Sequence, residues 1–471
     1  MSDTLKPSGL FASADSRTKI DDWLTRRLIE AGRRVKDGAV KPRFEALRFR
    51  AGLAAFDFAA PRDLAACLDW SISELEAGIV HMTHPRYFGL FNPAPAFAAE
   101  CADRIVAAFN PQLAASATSP AAVEIEAHVL RAVADRAGYG PNSAGHFTSG
   151  GSEANFTALI CALTHHEPSF AAEGARGFSG PPVFYVSADC HLAWIKIAHE
   201  AGLGRNAARL VTTDGAGRMN PQALVAMIAQ DRAASRVPVM VVATAGTTNA
   251  GMIDPLVAIA NIAQNGGLWF HADAAWGGAL IASDRLRGAL AGIERADSIT
   301  IDAHKWFATT MGCGMFLTRH AGVLPQAFQV NTTFMPSAEP SRDPYMTSMQ
   351  WSRRFLGLRL FLSLAAVGWQ GYAAHVERAV ALAGLLKDQL RAQGWSIANT
   401  SELAVVCFEP PDRALNAATL AKRVVDSGGA WISTATYEGR TVLRACVTHG
   451  ETPEHDIATL CELLGQAIRA P

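Results

Sequence analysis

LWFHADAAW (268–276) and SITIDAHKWF (298–307) decide the fold. Each opens as a short apolar run, and each run closes on an acid, Asp273 in the first and Asp302 in the second. Comparable runs stand at VFYVS (183–187), ARLVTT (208–213) and VPVMVVATAG (237–246), with stretches of helical period between them. Short β-branched strands bounded by Gly or Asp and alternating with helices read as a largely parallel α/β sheet.

Outward from these strands the texture changes. Toward the N-terminus, DDWLTRRLIEA (21–31) sets Trp23, Leu24 and Leu28 against charges. Ala60 to Ala77 carries Leu64, Leu68, Ile72 and Leu75 at helical spacing, with Pro61 placed for a first turn. A helical arm of this kind has a poor core of its own. A turn-rich segment, HPRYFGLFNPAP (84–95), follows, and Ser119-Pro120 supplies a cap and a first-turn proline for AAVEIEAHVLRAVADRA. Toward the C-terminus a helix, YAAHVERAVALAGLLKDQLRAQG, precedes AVVCFEP, a helix around 415–427, WISTATY, TVLRACV and a helix from Glu454. The expected organisation is a helical arm over 1–85, a large α/β domain over 86–370 and a small α+β domain over 371–471.

Composition narrows the function classes. In 471 residues, Lys+Arg 42 against Asp+Glu 43 leave a net charge of −1, which argues against a nucleic-acid or anionic-membrane partner. With 49% hydrophobic and 18% charged residues, a large buried core is expected rather than disorder. No apolar run has the length of a membrane span, and MSDTLKPSGLF lacks the pattern of a secretory signal, so a cytoplasmic location is expected. The eight cysteines include no CxxC pair and sit mostly in apolar surroundings, as buried free thiols do.

Several chemistries lack their motif: G-x-G-x-x-G, GxxxxGK[ST], HExxH and GxSxG are all absent. His81 and His84 form an H-x-x-H without a third ligand nearby, so packing roles are expected there and no metal. Three strand ends remain. FTSGGSEANFTALICAL (147–163) runs from a strand-like end through Ser149, Gly150 and Gly151 into a helix, a place where amides and hydroxyls can hold a phosphate. Asp273 ends one strand. Lys305, between His304 and Trp306, follows another, and burial there would make its amine nucleophilic toward an aldehyde. A strand-end carboxylate, a shielded lysine and a phosphate cradle are the parts that pyridoxal 5'-phosphate requires.

On the stretches HPRYFGLFNP, SPAAVEIE, TSGGSEAN, SADCHLAWIKIA, ATAGTTNAGMIDP, HADAAWGG, DAHKW and WSRRFLGLRL, the sequence resembles the group II pyridoxal-phosphate-dependent amino-acid decarboxylases. The resemblance implies a fold type I, aspartate-aminotransferase-like enzyme, a homodimer with active sites at the subunit interface, acting on a small-molecule amino acid. It implies Lys305 as the aldimine lysine, Asp273 as partner of the pyridine nitrogen, and Ala275 and His191 on the two ring faces. Ser149, Gly150 and Gly151 would hold the phosphate, with His304 and one of Thr247 or Thr248, here Thr247, beside phosphate or ring. Many relatives carry Asn where Asp302 stands, so Asp302 is left outside the cofactor set. The family's mobile loop would be NTTFMPSAEPSRDPYMTSMQ (331–350), with Tyr345 as proton donor, and a tyrosine there favours simple decarboxylation over aldehyde formation. Arg353, Arg354 and Arg444 are expected to be structural. Trp70, Phe88, Phe91 and Pro93 are expected to wall the substrate pocket and to suit an aromatic or apolar side chain. The alternative is transamination or retro-aldol cleavage on the same scaffold.

Overall fold

The computed structural model describes residues 10–330, 332 and 343–470. Among them, seven strands build the central sheet: β1 (Ala144–Thr148), β2 (Pro182–Ser187), β3 (Ala208–Val211), β4 (Val237–Thr244), β5 (Trp269–Asp273), β6 (Ser298–Asp302) and β7 (Gly314–Thr318). Their order is β1-β7-β6-β5-β4-β2-β3. Only β7 runs against its neighbours; the other adjacent pairs are parallel. Strands β5 and β6, which end on Asp273 and Asp302, are buried along their whole length, as a sheet covered on both faces requires. Register aligns Thr244, Asp273 and Thr300 across β4, β5 and β6, so these strands end on one edge of the sheet, where α/β proteins bind ligands.

A helix, Gly151–His166, follows β1 directly and lies on the sheet, with Asn155, Ala158, Leu159 and Ala162 buried. A long helical run, Gly357–Ala392, is interrupted at Gly368, whose φ of 63° is open to glycine, and leads to a second sheet. That sheet is antiparallel, with β8 (Ser396–Ile397), β9 (Val405–Glu409), β10 (Ser433–Tyr437) and β11 (Arg440–Cys446) in the order β10-β11-β9-β8. The turn-rich segment reaches it: Tyr87 bridges to Trp431, and the Phe88 N–H donates to the Trp431 carbonyl at 2.8 Å.

The N-terminal helices are Ala14–Asp37, Ala46–Ala54 and Leu64–Gly78. The third starts later than its apolar spacing implied. Asp63, not Pro61, ends the preceding chain, its carboxylate accepting from the Ala66 N–H at 2.9 Å as an N-cap. Pro120 opens its helix as expected, but the Ser119 hydroxyl donates to the Gln112 carbonyl instead of capping. Large apolar side chains stay in the open, Leu47 and Phe58 in the arm and Phe97 and Phe109 at the ends of the helix Phe97–Phe109, all 74–90% exposed. No described helix is long and apolar enough to cross a membrane.

Candidate active site

At the strand-end edge a cavity of about 320 Å³ is lined by Ser149, Gly150, Gly151, His191, Asp273, Ala275, His304 and Lys305, together with Phe91, Glu153, Asn155, Thr248, Trp276 and Asp302. Eight of the nine residues expected around the cofactor are therefore brought together. The ninth, Thr247, is turned into the bend after β4. Its hydroxyl accepts from the Met252 N–H at 3.0 Å, and the neighbouring Thr248 lines the cavity in its place.

Asp273 is 5% exposed. Its Oδ2 accepts from Asn155 Nδ2 at 2.8 Å and from the Trp194 indole N–H at 3.1 Å; its Oδ1 has only a long contact, 3.3 Å, from the Ala275 N–H. Every one of these donors is neutral, so this buried carboxylate has no cation beside it among the described residues. Lys305 behaves differently. Its Nζ lies 2.9 Å from Oδ2 of Asp302, a residue the sequence left out of the site. Asp302 is at least as buried as Asp273, and among the described residues its Oδ1 has no hydrogen-bond partner. The i,i+3 spacing within DAHK was the available signal, set aside because many relatives carry Asn where Asp302 stands.

The cradle is tight. A Cβ on Gly151 would lie 2.9 Å from Asp302 Oδ2 and 3.3 Å from Ala275 Cβ, and one on Gly150 would lie 3.3 Å from His304 Cε1. Glycine is thus needed for backbone to form this wall. His304 Nδ1 is 3.0 Å from the Cys313 carbonyl oxygen, and exposed His191 accepts at Nδ1 from the Ala193 N–H at 3.2 Å. Ser149 carries an occupant that the sequence did not suggest: Glu153 Oε2 accepts from both its N–H, at 2.8 Å, and its hydroxyl, at 2.7 Å. An anion bound there must share Ser149 with Glu153 or displace it.

The expected pocket walls disperse. Only Phe91 lines the cavity, its ring 4.5 Å from that of Trp276. Trp70 belongs to the arm, half-buried against the Phe56 ring at 4.6 Å and that of Phe49 at 6.0 Å. Phe88 is fully buried in the main core, and Pro93 is buried outside the cavity lining. Tyr345 is also separate. It is 8% exposed, its ring stacks on Trp351 at 5.0 Å, and its N–H donates to the Ala114 carbonyl at 3.1 Å. It is not among the lining residues; most of the loop before it falls outside the described residues.

Each of the three arginines has partners within the fold. Arg353 pairs with buried Glu126 at 2.6 Å and Arg354 with Asp103 at 3.5 Å. Arg444 donates to the carbonyls of Thr248 and Gly89 and to Ser433, tying the small sheet to the cavity rim. His84 accepts at Nδ1 from the Arg86 N–H within its turn, and burial pushes its pKa down to about 4.

Comparison with known proteins gives the same answer from another side. The family model for the pyridoxal-dependent decarboxylase conserved domain matches residues 63–410. The mouse (Mus musculus) acidic amino acid decarboxylase GADL1 is 32% identical over 337 residues, 70% of this chain and 60% of that protein, so the match leaves much of the relative's length uncovered. Mouse cysteine sulfinic acid decarboxylase is 34% identical over 334 residues, 69% of this chain and 67% of that protein. The crystal structure of mouse CSAD superposes with a TM-score of 0.90 at 26% identity, covering 97% of this chain and 99% of the other.

Proposed function

Because this chain belongs to the pyridoxal-dependent decarboxylase family, with the fold type I architecture of its solved relatives, we propose that it removes the α-carboxylate of an L-amino acid as carbon dioxide, using pyridoxal 5'-phosphate held in the cavity at the ends of β5 and β6. The observation that carries this reading is the pair of strand-end acids. Among the described residues buried Asp273 has no cation beside it, and Asp302 already has one in Lys305. A buried carboxylate without a counter-charge is costly unless a cation arrives, and a protonated pyridine nitrogen is such a cation. The glycine wall at Gly150 and Gly151 and the orphaned Asp302 Oδ1 fit an inserted planar, hydrogen-bonding group.

In this reading Lys305 would hold the cofactor through its amine, Asp273 its ring nitrogen, Ser149, Gly150 and Gly151 its phosphate, and His191 and Ala275 would flank its ring. When bound, the cofactor supplies an electron sink for the pair released as the carboxylate departs. The chain's own residues do the rest. Asp302 Oδ2, 2.9 Å from Lys305 Nζ, orients that amine within the cavity, where it would serve as acid or base. Within one chain Tyr345 stacks on Trp351 outside the lining, and the proton donor proposed there is Lys305. Phe91 and Trp276, with ring centroids 4.5 Å apart, give the cavity an apolar side.

The aromatic-substrate expectation loses three of its four walls, and the lining is mainly polar. Short acidic amino acids, named in the relatives' activities, are the first substrates to test. We further propose that the active form is a homodimer, in which a second copy covers the exposed apolar residues of the arm. Incubating the protein and pyridoxal phosphate with aspartate, cysteine sulfinate, glutamate, phenylalanine or tryptophan, with and without a keto acid, should release carbon dioxide without the keto acid. Amino-group transfer with no carbon dioxide from any of them would overturn the assignment.

A further inference from the structure

Behind Asp273 lies a run of buried polar groups that the catalytic account does not use. Trp269 Nε1 is 2.8 Å from Ser298 Oγ, Ser298 Oγ is 2.8 Å from His271 Nδ1, and His271 Nε2 is 3.1 Å from Asn155 Oδ1. Asn155 Nδ2 then meets Asp273 Oδ2 at 2.8 Å. None of these residues is more than 5% exposed.

Donor and acceptor chemistry leaves one consistent assignment. The acceptor Asp273 requires the NH2 of the Asn155 amide to face it, so the amide oxygen faces His271 and needs a donor. His271 must therefore carry its proton on Nε2, which leaves Nδ1 as an acceptor for the Ser298 hydroxyl. Ser298 in turn accepts from the Trp269 indole, which can only donate. Thr300 Oγ1, 3.4 Å from His271 Nε2, offers that proton a second, weaker acceptor. Every donor thus points toward the carboxylate. Burial pushes the His271 pKa down to about 4, against the opposing influence of Asp273 and the Ser298 backbone, so the ring is neutral near pH 7.

An asparagine amide is nearly symmetric in shape, so packing alone does not choose between its two orientations. The flipped amide would place oxygen against oxygen at Asp273 and leave a buried carboxylate short of a donor.

We propose that His271 is a positioning residue: as the neutral Nε2–H tautomer it locks the Asn155 amide, which fixes Oδ2 of Asp273 and leaves Oδ1 available to the ring nitrogen of the cofactor. This inference rests on the proposed function for the identity of the cofactor, but the tautomer and the amide orientation do not.

Three proteins and three readouts test it. His271→Gln keeps a donor where Nε2 lies, and His271→Met removes it. Pyridoxal phosphate affinity and the absorbance spectrum of the bound cofactor are measured for both and for the unaltered protein. His271→Met should bind about tenfold more weakly, the loss of one hydrogen bond's worth, and show an altered spectrum, whereas His271→Gln should restore both. Unchanged affinity and spectrum in a folded His271→Met would overturn the proposal. Nitrogen-15 histidine spectra of the unaltered protein, with the His271 signal identified by its loss in His271→Gln, should show the Nε2–H tautomer; the Nδ1–H tautomer would overturn the proposal even where His271→Met does not fold. If the unaltered protein takes up no pyridoxal phosphate, the functional reading fails, and the tautomer still decides the amide lock.

Discussion

Asp273 and Asp302 end neighbouring parallel strands, are buried alike and line one cavity, yet they are stabilised by different means. Asp273 receives hydrogen bonds from Asn155, Trp194 and Ala275 and no cation; Asp302 has the Lys305 ammonium at 2.9 Å and an oxygen with no partner. A rigid shell of neutral donors orients a carboxylate for an incoming positive charge. A single flexible lysine neutralises the other carboxylate but can leave it. The first corner is built to hold a ring nitrogen in place, and the second to release a reactive amine.

Breaking the second corner outright has the largest consequence. Lys305→Ala should abolish covalent cofactor attachment and lower decarboxylation on the order of 10³-fold or more, read by carbon dioxide release and by loss of the cofactor absorbance. The contrast between the acids is sharpened by Asp273→Asn against Asp302→Asn. The first should cost about 10²-fold or more in turnover, because the ring nitrogen loses its counter-charge. The second leaves the Lys305 ammonium, 23% exposed, without its partner. It should destabilise the cofactor-free protein by about 1–3 kcal/mol and the loaded protein less, a difference visible in thermal melts with and without pyridoxal phosphate.

A milder stress is acid. Burial holds His84, His271 and His375 down to about 4 and His146 to about 3, against an ordinary value near 6.5. Between these limits the unfolded chain binds protons that the folded chain refuses, so stability should fall steadily as pH drops from about 6.5 toward 4. Melting temperatures across that range check the sign. The smallest effect concerns the cradle: Glu153→Gln removes a negative charge that contacts Ser149, and should tighten pyridoxal phosphate binding a few-fold. Weaker binding would show that Glu153 organises the cradle rather than competes for it.

What was legible in the sequence is what short-range pattern encodes. Strands β2 to β6, their terminal acids, Lys305 and the Ser-Gly-Gly turn each lie within a few residues of their defining signal. β7 was not anticipated, because a five-residue run between Gly314 and Thr318 has no flanking helix pattern to mark it. The choice between Thr247 and Thr248 depends on which way one bend faces, set by the hydrogen bond from Met252. Trp70 looked like a pocket wall because aromatic residues carry no address; Phe49 and Phe56 decide where it packs. The His271–Asn155 contact joins residues 116 positions apart, and no local pattern announces such a pairing.

The central claim is that this one cavity binds pyridoxal phosphate covalently through Lys305. Reduction of the loaded protein with borohydride, followed by peptide mass spectrometry, tests it most directly. The account predicts a single pyridoxyl group, on Lys305, displaced when a substrate amino acid is added before reduction. A pyridoxyl group on another lysine, or none after saturation with the cofactor, would contradict it.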